Sequence, residues 1–138
     1  MASTAQPSNH LQRGYVPFSG DAAQFQGWVA LMRSLMSEAG LSRIMSGAET
    51  APETPQAGAG EEELTAHRKT LLKFHERNGK LYTRLLMATS DGPEGYSSPA
   101  SQVVQQYAPL GTEEFGNGRG AFVALEQKYR VDGVFRMQ

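Results

Sequence analysis

The sequence predicts an all-α fold, a compact bundle of about four to five helices. Apolar residues recur at spacings of three and four in several segments, which is typical of helices that bury one face. No segment alternates apolar and polar residues over the length of a strand, so we predict no strand. With 138 residues, the chain is long enough for one domain with a hydrophobic core.

The first predicted helix begins after Ser19 or Asp21, either of which suits the N-cap position. It ends near Gly40, where a left-handed residue is favoured. Its apolar residues fall on one stripe and comprise Phe25, Trp28, Val29, Met32, Leu35, Met36 and Ala39. A short turn follows and carries Leu41, Ile44 and Met45.

The second predicted helix is the longest and runs from about residue 61 to residue 89. Three glutamates at its start suit the positive end of the helix dipole. Gly79 lies inside it and costs about 1 kcal/mol relative to Ala, so we expect a kink or a break near Asn78. Its buried face comprises Leu64, Leu71, Phe74, Leu81, Tyr82, Leu85 and Ala88.

Two shorter helices complete the predicted bundle. Ser98 suits the N-cap of the third, with Pro99 at its first position. The fourth spans roughly residues 119–130 and turns Phe122, Leu125 and Tyr129 inward. We therefore divide the chain into a flexible tail, residues 1–17, and a helical domain, residues 18–138. Within the domain, residues 46–60 form a flexible low-complexity loop rich in Pro, Gly and Glu.

Composition narrows the classes of function. The formal net charge is −1, so the chain as a whole does not attract polyanions by its bulk charge. There is no cysteine, which excludes disulfides, thiol catalysis and cysteine-ligated zinc. No window is long and apolar enough for a membrane span, and the N-terminus lacks the apolar core of a secretory signal. We therefore expect a soluble intracellular protein that does not contact membranes.

The sequence contains no convincing catalytic, cofactor or metal site, so we expect a protein that is not an enzyme. His67 and His75 lie eight positions apart on the second helix, about 80° from each other, which is poor for sharing a metal. The GNGRG stretch, residues 116–120, precedes a helix as phosphate-binding loops do. No strand precedes it and the P-loop Lys is missing, so we interpret it as a flexible interhelical loop.

The second helix carries a basic stripe. Five cations follow one another at spacings of three or four and lie within about an 80° arc opposite the apolar face. They are Lys69, Lys73, Arg77, Lys80 and Arg84. Such a stripe suits contact with nucleic-acid phosphates, although a solvated helix face has the same composition.

The first helix has an outer face of small residues. Gly27, Ala30, Ser34 and Ser37 lie within about an 80° arc, roughly opposite Phe25. Small residues permit close approach of another backbone, and Gly27 carries a helix cost that such an approach would explain. We interpret this small face as a helix contact, within the domain or between subunits; the alternative is a weakly selected surface.

Several of these residues form an ordered pattern. The pattern begins with an aromatic residue two positions before a Gly. An aromatic residue and, three positions later, a Trp follow on the first helix. A Met and a Leu continue that helix, and a Gly-Leu pair ends it. The corresponding residues are Phe18, Gly20, Phe25, Trp28, Met32, Leu35, Gly40 and Leu41. After a variable linker and the Leu-rich run KLYTRLLMA, a later helix has the pattern Ala-Trp-x-x-Leu-x-x-x-Tyr, here Ala121, Phe122, Leu125 and Tyr129.

This pattern, over residues 18–130, resembles the N-terminal capsid region of copia-type LTR retrotransposon Gag proteins, with Phe122 where Trp is usual. The resemblance implies an all-α capsid fold and a structural protein that self-assembles into cytoplasmic virus-like particles enclosing the element's RNA. The family's second capsid lobe and its Cys/His zinc knuckle have no counterpart here. The chain thus looks like an N-terminal capsid lobe alone, or a truncated or domesticated Gag.

The implied partner is a second copy of the chain, through Gly27, Ala30, Ser34 and Ser37. RNA contact is expected through regions outside this chain or weakly through the basic stripe. The alternative function is a helical adaptor, domesticated from Gag, that uses the basic stripe for nucleic acid or its surface for protein partners.

Overall fold

The computed structural model describes residues 17–90 and 97–130. Its helices are α1 (Phe25–Glu38), α2 (Ser42–Ser46), α3 (Glu61–Ala88), α4 (Pro99–Gln105) and α5 (Gly118–Leu125). A 3₁₀ turn, Ala22–Gln24, precedes α1, and one π-helical turn, Glu126–Arg130, continues α5. The described residues contain no strand, and the predicted all-α class is confirmed.

Parts of the predicted division of the chain fall outside the described residues. Of the predicted tail, residues 1–16 lie outside the described residues, while Pro17 is buried. The last eight positions of the predicted domain, 131–138, also lie outside them. The low-complexity loop forms neither helix nor strand from residue 47 to residue 60, and it joins α2 to α3.

Residues 17–21, the entry segment, precede the first helical turn and form hydrogen bonds to the end of α3 and to the start of α4. The backbone N–H of Phe18 donates to the carbonyl of Ala88 at the end of α3 (2.9 Å), and the carbonyl of Ser19 accepts from Ala100 N–H (3.2 Å). The Asp21 carboxylate then accepts from Ala23 N–H (3.0 Å) and caps the 3₁₀ turn. This entry segment therefore satisfies backbone groups at both helix ends that would otherwise lack partners.

An aromatic cluster forms the centre of the core at this end of the molecule. Phe18 stacks on Trp28, with ring centroids 5.2 Å apart, and meets the edge of Tyr129 at 4.9 Å. Phe25 lies within 6 Å of each of the other rings. Such pairs contribute about 0.5–1.5 kcal/mol beyond the area that they bury. The cluster joins the entry segment, α1 and the π turn.

The end of α1 confirms the position predicted for Gly40. Its φ is +75°, a left-handed value that favours glycine. Leu41 N–H donates to the carbonyl of Met36 (2.7 Å) and Gly40 N–H to that of Ser37 (3.1 Å), which closes the helix as a Schellman-type cap. The turn sends the chain into α2, which buries Ile44 and Met45 in the core.

The break expected near Asn78 does not occur, because α3 is one continuous helix across Gly79. A Cβ at Gly79 would lie 2.9 Å from Cβ of Phe115, so the glycine makes room for that side chain. Asn78 and Gly79 are both buried. The glycine thus serves tertiary packing, which offsets its helix cost of about 1 kcal/mol.

The glycine-rich loop before α5 is a tight packing junction with α3. A Cβ at Gly116 would lie 2.5 Å from the ring of Tyr82, and one at Gly118 would lie 2.5 Å from the backbone nitrogen of Tyr82. A Cβ at Gly120 would lie 2.8 Å from the ring of Tyr107. The interpretation of GNGRG as a flexible loop therefore needs correction, because its last three residues begin α5. Gly116 and Gly118 allow close contact with α3, and Gly120 allows close contact with Tyr107.

A small polar network holds this junction in register. Asn78 Nδ2 donates to Asn117 Oδ1 (3.0 Å), and Asn78 Oδ1 accepts from Arg119 N–H (2.8 Å). Asn117 Oδ1 also accepts from Gly120 N–H (3.0 Å), which caps α5. The Arg119 guanidinium donates to the carbonyl of Met45 at the end of α2. One buried asparagine thereby connects α3 to the start of α5.

We predict that Gly118→Ala destabilises the fold by about 1–3 kcal/mol, because the added methyl group meets the α3 backbone and forces the helices apart. Gly27→Ala is the matched control, since nothing lies within 4 Å of a Cβ there. It should stabilise the protein by up to about 1 kcal/mol through helix propensity. Urea denaturation of both variants measures the difference, and equal midpoints would contradict the prediction.

Candidate interaction surfaces

The described residues offer few groups for catalysis or ligand chemistry. They contain no group of three or more His, Cys, Asp or Glu that could hold a metal ion. His67 and His75 lie on α3 as predicted, whereas His10 lies outside the described residues. Within the same ranges no helix is long and apolar enough to cross a bilayer.

The glycine-rich loop is not arranged to cradle a phosphate. Asn117 N–H donates to the carbonyl of Tyr107 (2.8 Å), and Arg119 and Gly120 N–H donate to asparagine side chains. A phosphate-binding loop needs several free N–H groups that point to one spot. Here the polar groups of the loop hold the junction with α3 together.

The small face of α1 lies on the surface. Gly27, Ala30, Ser34 and Ser37 are all exposed. The open space around Gly27 shows that no described part of the chain packs there. The prediction of a contact within the domain is therefore wrong for the described residues. A contact between subunits and a plain surface remain as explanations.

The basic stripe is divided by the structure. Lys69, Lys73, Lys80 and Arg84 are exposed on α3, and none of them forms an ion pair within the described residues. Arg77, in the middle of the stripe, is half-buried, and its guanidinium already donates hydrogen bonds to Glu49 and to Gly40. It is therefore a structural residue, and the cations that remain free for a ligand form two pairs separated by its position.

Arg77 ties the low-complexity loop and the end of α1 to α3. Its guanidinium donates to the Glu49 carboxylate (2.6 Å) and to the carbonyl of Gly40 (2.7 Å). The second bond satisfies a carbonyl at the end of a helix, where cations are favoured. Spacing along α3 could not distinguish Arg77 from its neighbours, because both partners lie far away in the sequence.

We predict that Arg77→Gln lowers the free energy of unfolding by about 1 kcal/mol, because two charge-assisted hydrogen bonds are lost at a site that solvent partly screens. Lys73→Gln, one helical turn earlier and exposed, should change it by less than about 0.5 kcal/mol. Chemical denaturation at low and high salt measures both. Equal losses in the two variants would show that Arg77 is an ordinary surface cation.

A groove of about 1110 Å³ lies between the second half of α1, α3 and the loop before α5. Its apolar lining comprises Leu35, Met36, Ala39, Tyr82, Met87, Pro109 and Phe115. Burial raises the pKa of the Tyr82 hydroxyl above its ordinary value. Sequence reasoning missed the groove because it is built from three segments. Leu35, which the sequence predicts on the buried stripe of α1, is half-buried: it packs against the core and also lines the groove.

Most residues of the ordered sequence pattern over residues 18–130 meet in one core. Buried in the common core are Phe18, Phe25, Trp28, Met32, Leu41, Phe122, Leu125 and Tyr129. Gly20 lies against Tyr129, whose hydroxyl would be 3.1 Å from a Cβ at that position. Gly40 is exposed and ends α1. The two parts of the pattern, separated by most of the chain, are thus adjacent in space.

Comparisons of the chain with protein-family models, with curated proteins and with solved structures gave no significant match.

Proposed function

We propose that this protein is a structural Gag-type protein, a helical capsid lobe of an LTR retrotransposon or of a gene derived from one. Its task is association with further copies of itself into a particle that encloses RNA. The particle would be cytoplasmic, and RNA would be held chiefly by regions outside this chain. The proposal needs no catalytic residue, cofactor or metal.

The order and spacing of the capsid-like pattern carry the proposal, and most of the residues of that pattern lie in one core. Phe18 and Tyr129 belong to opposite ends of the pattern, yet their rings are in contact, 4.9 Å between centroids. Gly20, between them, leaves room for the Tyr129 hydroxyl. Large apolar residues of any compact helical domain meet in its core, so the contact identifies these positions as core positions. Kinship with the capsid region of copia-type Gag is proposed from the order and spacing of the pattern.

The small face of α1 supports self-association. A continuous strip of small, uncharged side chains lets a second helix approach closely at little desolvation cost. This strip is exposed along three turns, from Gly27 to Ser37. We therefore place one subunit contact on Gly27, Ala30, Ser34 and Ser37.

We predict that Ala30→Glu abolishes association through the small face while leaving the fold intact. The residue is exposed, so its change should leave helicity and melting temperature nearly unchanged. A glutamate there would place an unpaired charge in the contact. Ala66→Glu is the matched control, since Ala66 is also an exposed helical alanine, on α3. Light scattering from dilute to concentrated protein, with negative-stain imaging of the same samples, compares both variants with wild type.

The outcomes separate clearly. Defined oligomers or shells in wild type and in Ala66→Glu, with no assembly larger than a dimer in Ala30→Glu, would support the proposal. If Ala30→Glu assembles like wild type, the small face of α1 is not a subunit contact. A wild type that stays monomeric at every protein and salt concentration would contradict self-association by this chain.

A nucleic-acid adaptor is the second candidate function. It is favoured by the exposure of Lys69, Lys73, Lys80 and Arg84, which have no ionic partners within the described residues. Against it stand the hydrogen bonds that already occupy Arg77 and the lack of aromatic residues, on which bases could stack, along the arc of α3 that carries the cations.

If the adaptor function holds, affinity for a short single-stranded RNA falls steeply with salt. The double variant Lys73→Ala, Arg84→Ala should then reduce the slope of log affinity against log salt by about 1.4, since each lost phosphate contact removes about 0.7. The control double variant Arg33→Ala, Arg43→Ala removes two exposed cations outside the stripe. Fluorescence anisotropy measures the slopes, and equal slopes in the two double variants would exclude the stripe.

A further inference from the structure

The groove described above has an exposed apolar side chain directly beside it. Pro109 lines the groove, and the next residue, Leu110, is 70% exposed. Met87, on the α3 side of the lining, is 51% exposed. A leucine exposed to that degree beside an apolar groove costs hydration free energy in the monomer, which burial in a partner would recover.

Leu110 is held in a closed turn. Its N–H donates to the Glu113 carboxylate (2.9 Å), and its carbonyl accepts from Glu113 N–H (3.0 Å). Gly111, between them, has φ +58°, in the left-handed region. A backbone that is already fixed in such a turn loses little conformational entropy on binding. The turn therefore holds the backbone of Leu110 in place while its side chain stays exposed.

The rim of the groove carries charges of both signs. Glu38, Glu76 and Glu114 supply carboxylates, and Lys80 and Arg84 supply cations. All five are exposed, and none of them is ion-paired within the described residues. A ligand of one sign would meet repulsion from part of this rim. A surface that itself carries both signs would meet complementary charges.

We propose that the partner of this groove is a second copy of the chain, related by a two-fold axis, with Leu110 of each copy inserted into the groove of the other. A two-fold contact requires a patch that is complementary to itself, with projection and recess side by side. Leu110 and the groove meet that requirement, and the mixed charges of the rim do so electrostatically. The inference rests on the proposed self-association, but it uses a different surface from the small face of α1.

The absence of cysteine makes a direct test available. One chain carries Met87→Cys in the groove, and a second chain, with a tag of different mass, carries Leu110→Cys. Because the two thiols are on separate chains, only contact between copies can join them. After mild oxidation of the full-length mixture, we expect a mixed disulfide dimer. Ala66→Cys replaces Leu110→Cys in the control mixture and measures cross-linking by chance collision.

A mixed dimer at several times the control yield supports the proposal. A yield equal to the control, under conditions where wild type associates, overturns it and leaves the groove to a different protein partner. Strong cross-linking of Met87→Cys to its own kind, without the mixed product, also overturns it, because another part of the second copy would then face the groove.

A second measurement separates this inference from the proposed function. Leu110→Ser should weaken dimerisation about tenfold or more, as expected for the loss of an apolar anchor. The melting temperature of the dilute, monomeric protein should not change, because dimerisation stabilises the folded state only where the protein is dimeric. If Leu110→Ser associates like wild type while Ala30→Glu does not, the groove contact is wrong and self-association stands. If wild type does not associate at all, both fail.

Discussion

The direct contact of the glycine-rich loop with the backbone of α3 is the constraint on which the rest of the fold depends. Gly118 can lie where it does only because it has no side chain, since a Cβ would meet the Tyr82 backbone. Asn78 fixes the register of the two helices through side-chain hydrogen bonds. With that register set, Phe122 and Leu125 point into the core and Tyr129 reaches Phe18. The glycine-rich loop thus determines where the rings of the aromatic cluster can pack together.

Local patterns were sufficient to predict the fold class, and tertiary contacts explain what they missed. Spacing of apolar residues identified α1, α3, α4 and α5, whereas α2 was predicted as a short turn. The left-handed Gly40 and the Ser98 cap followed from local chemistry. Gly79 was misread because its role depends on Phe115, which is far along the chain. The buried serines at the junction of α3 and α4, Ser90 and Ser101, share a hydrogen bond that no periodicity reveals.

The candidate surfaces divide in the same way, because surfaces on a single helix were predictable from the sequence and those assembled from several segments were not. The exposure of the small face and of four cations agrees with their positions on single helices, because one helix determines which residues share a face. The role of Arg77 and the groove could not be predicted, since each is assembled from segments that the fold brings together. Arg77 binds a loop and a helix end, and the groove takes its walls from α1, α3 and the loop before α5.

The contact between Phe18 and Tyr129 also affects how the protein is made. The two rings belong to opposite ends of the described chain, so the aromatic cluster has a high sequence separation for a helical protein, and contacts of this kind slow folding. During synthesis, Phe18 leaves the ribosome long before its partner exists. Until α5 and the π turn emerge, the apolar face of α1 lacks the residues that pack against it in the folded protein. The nascent chain is then exposed to premature association, and a chaperone that shields α1 would favour the correct closure.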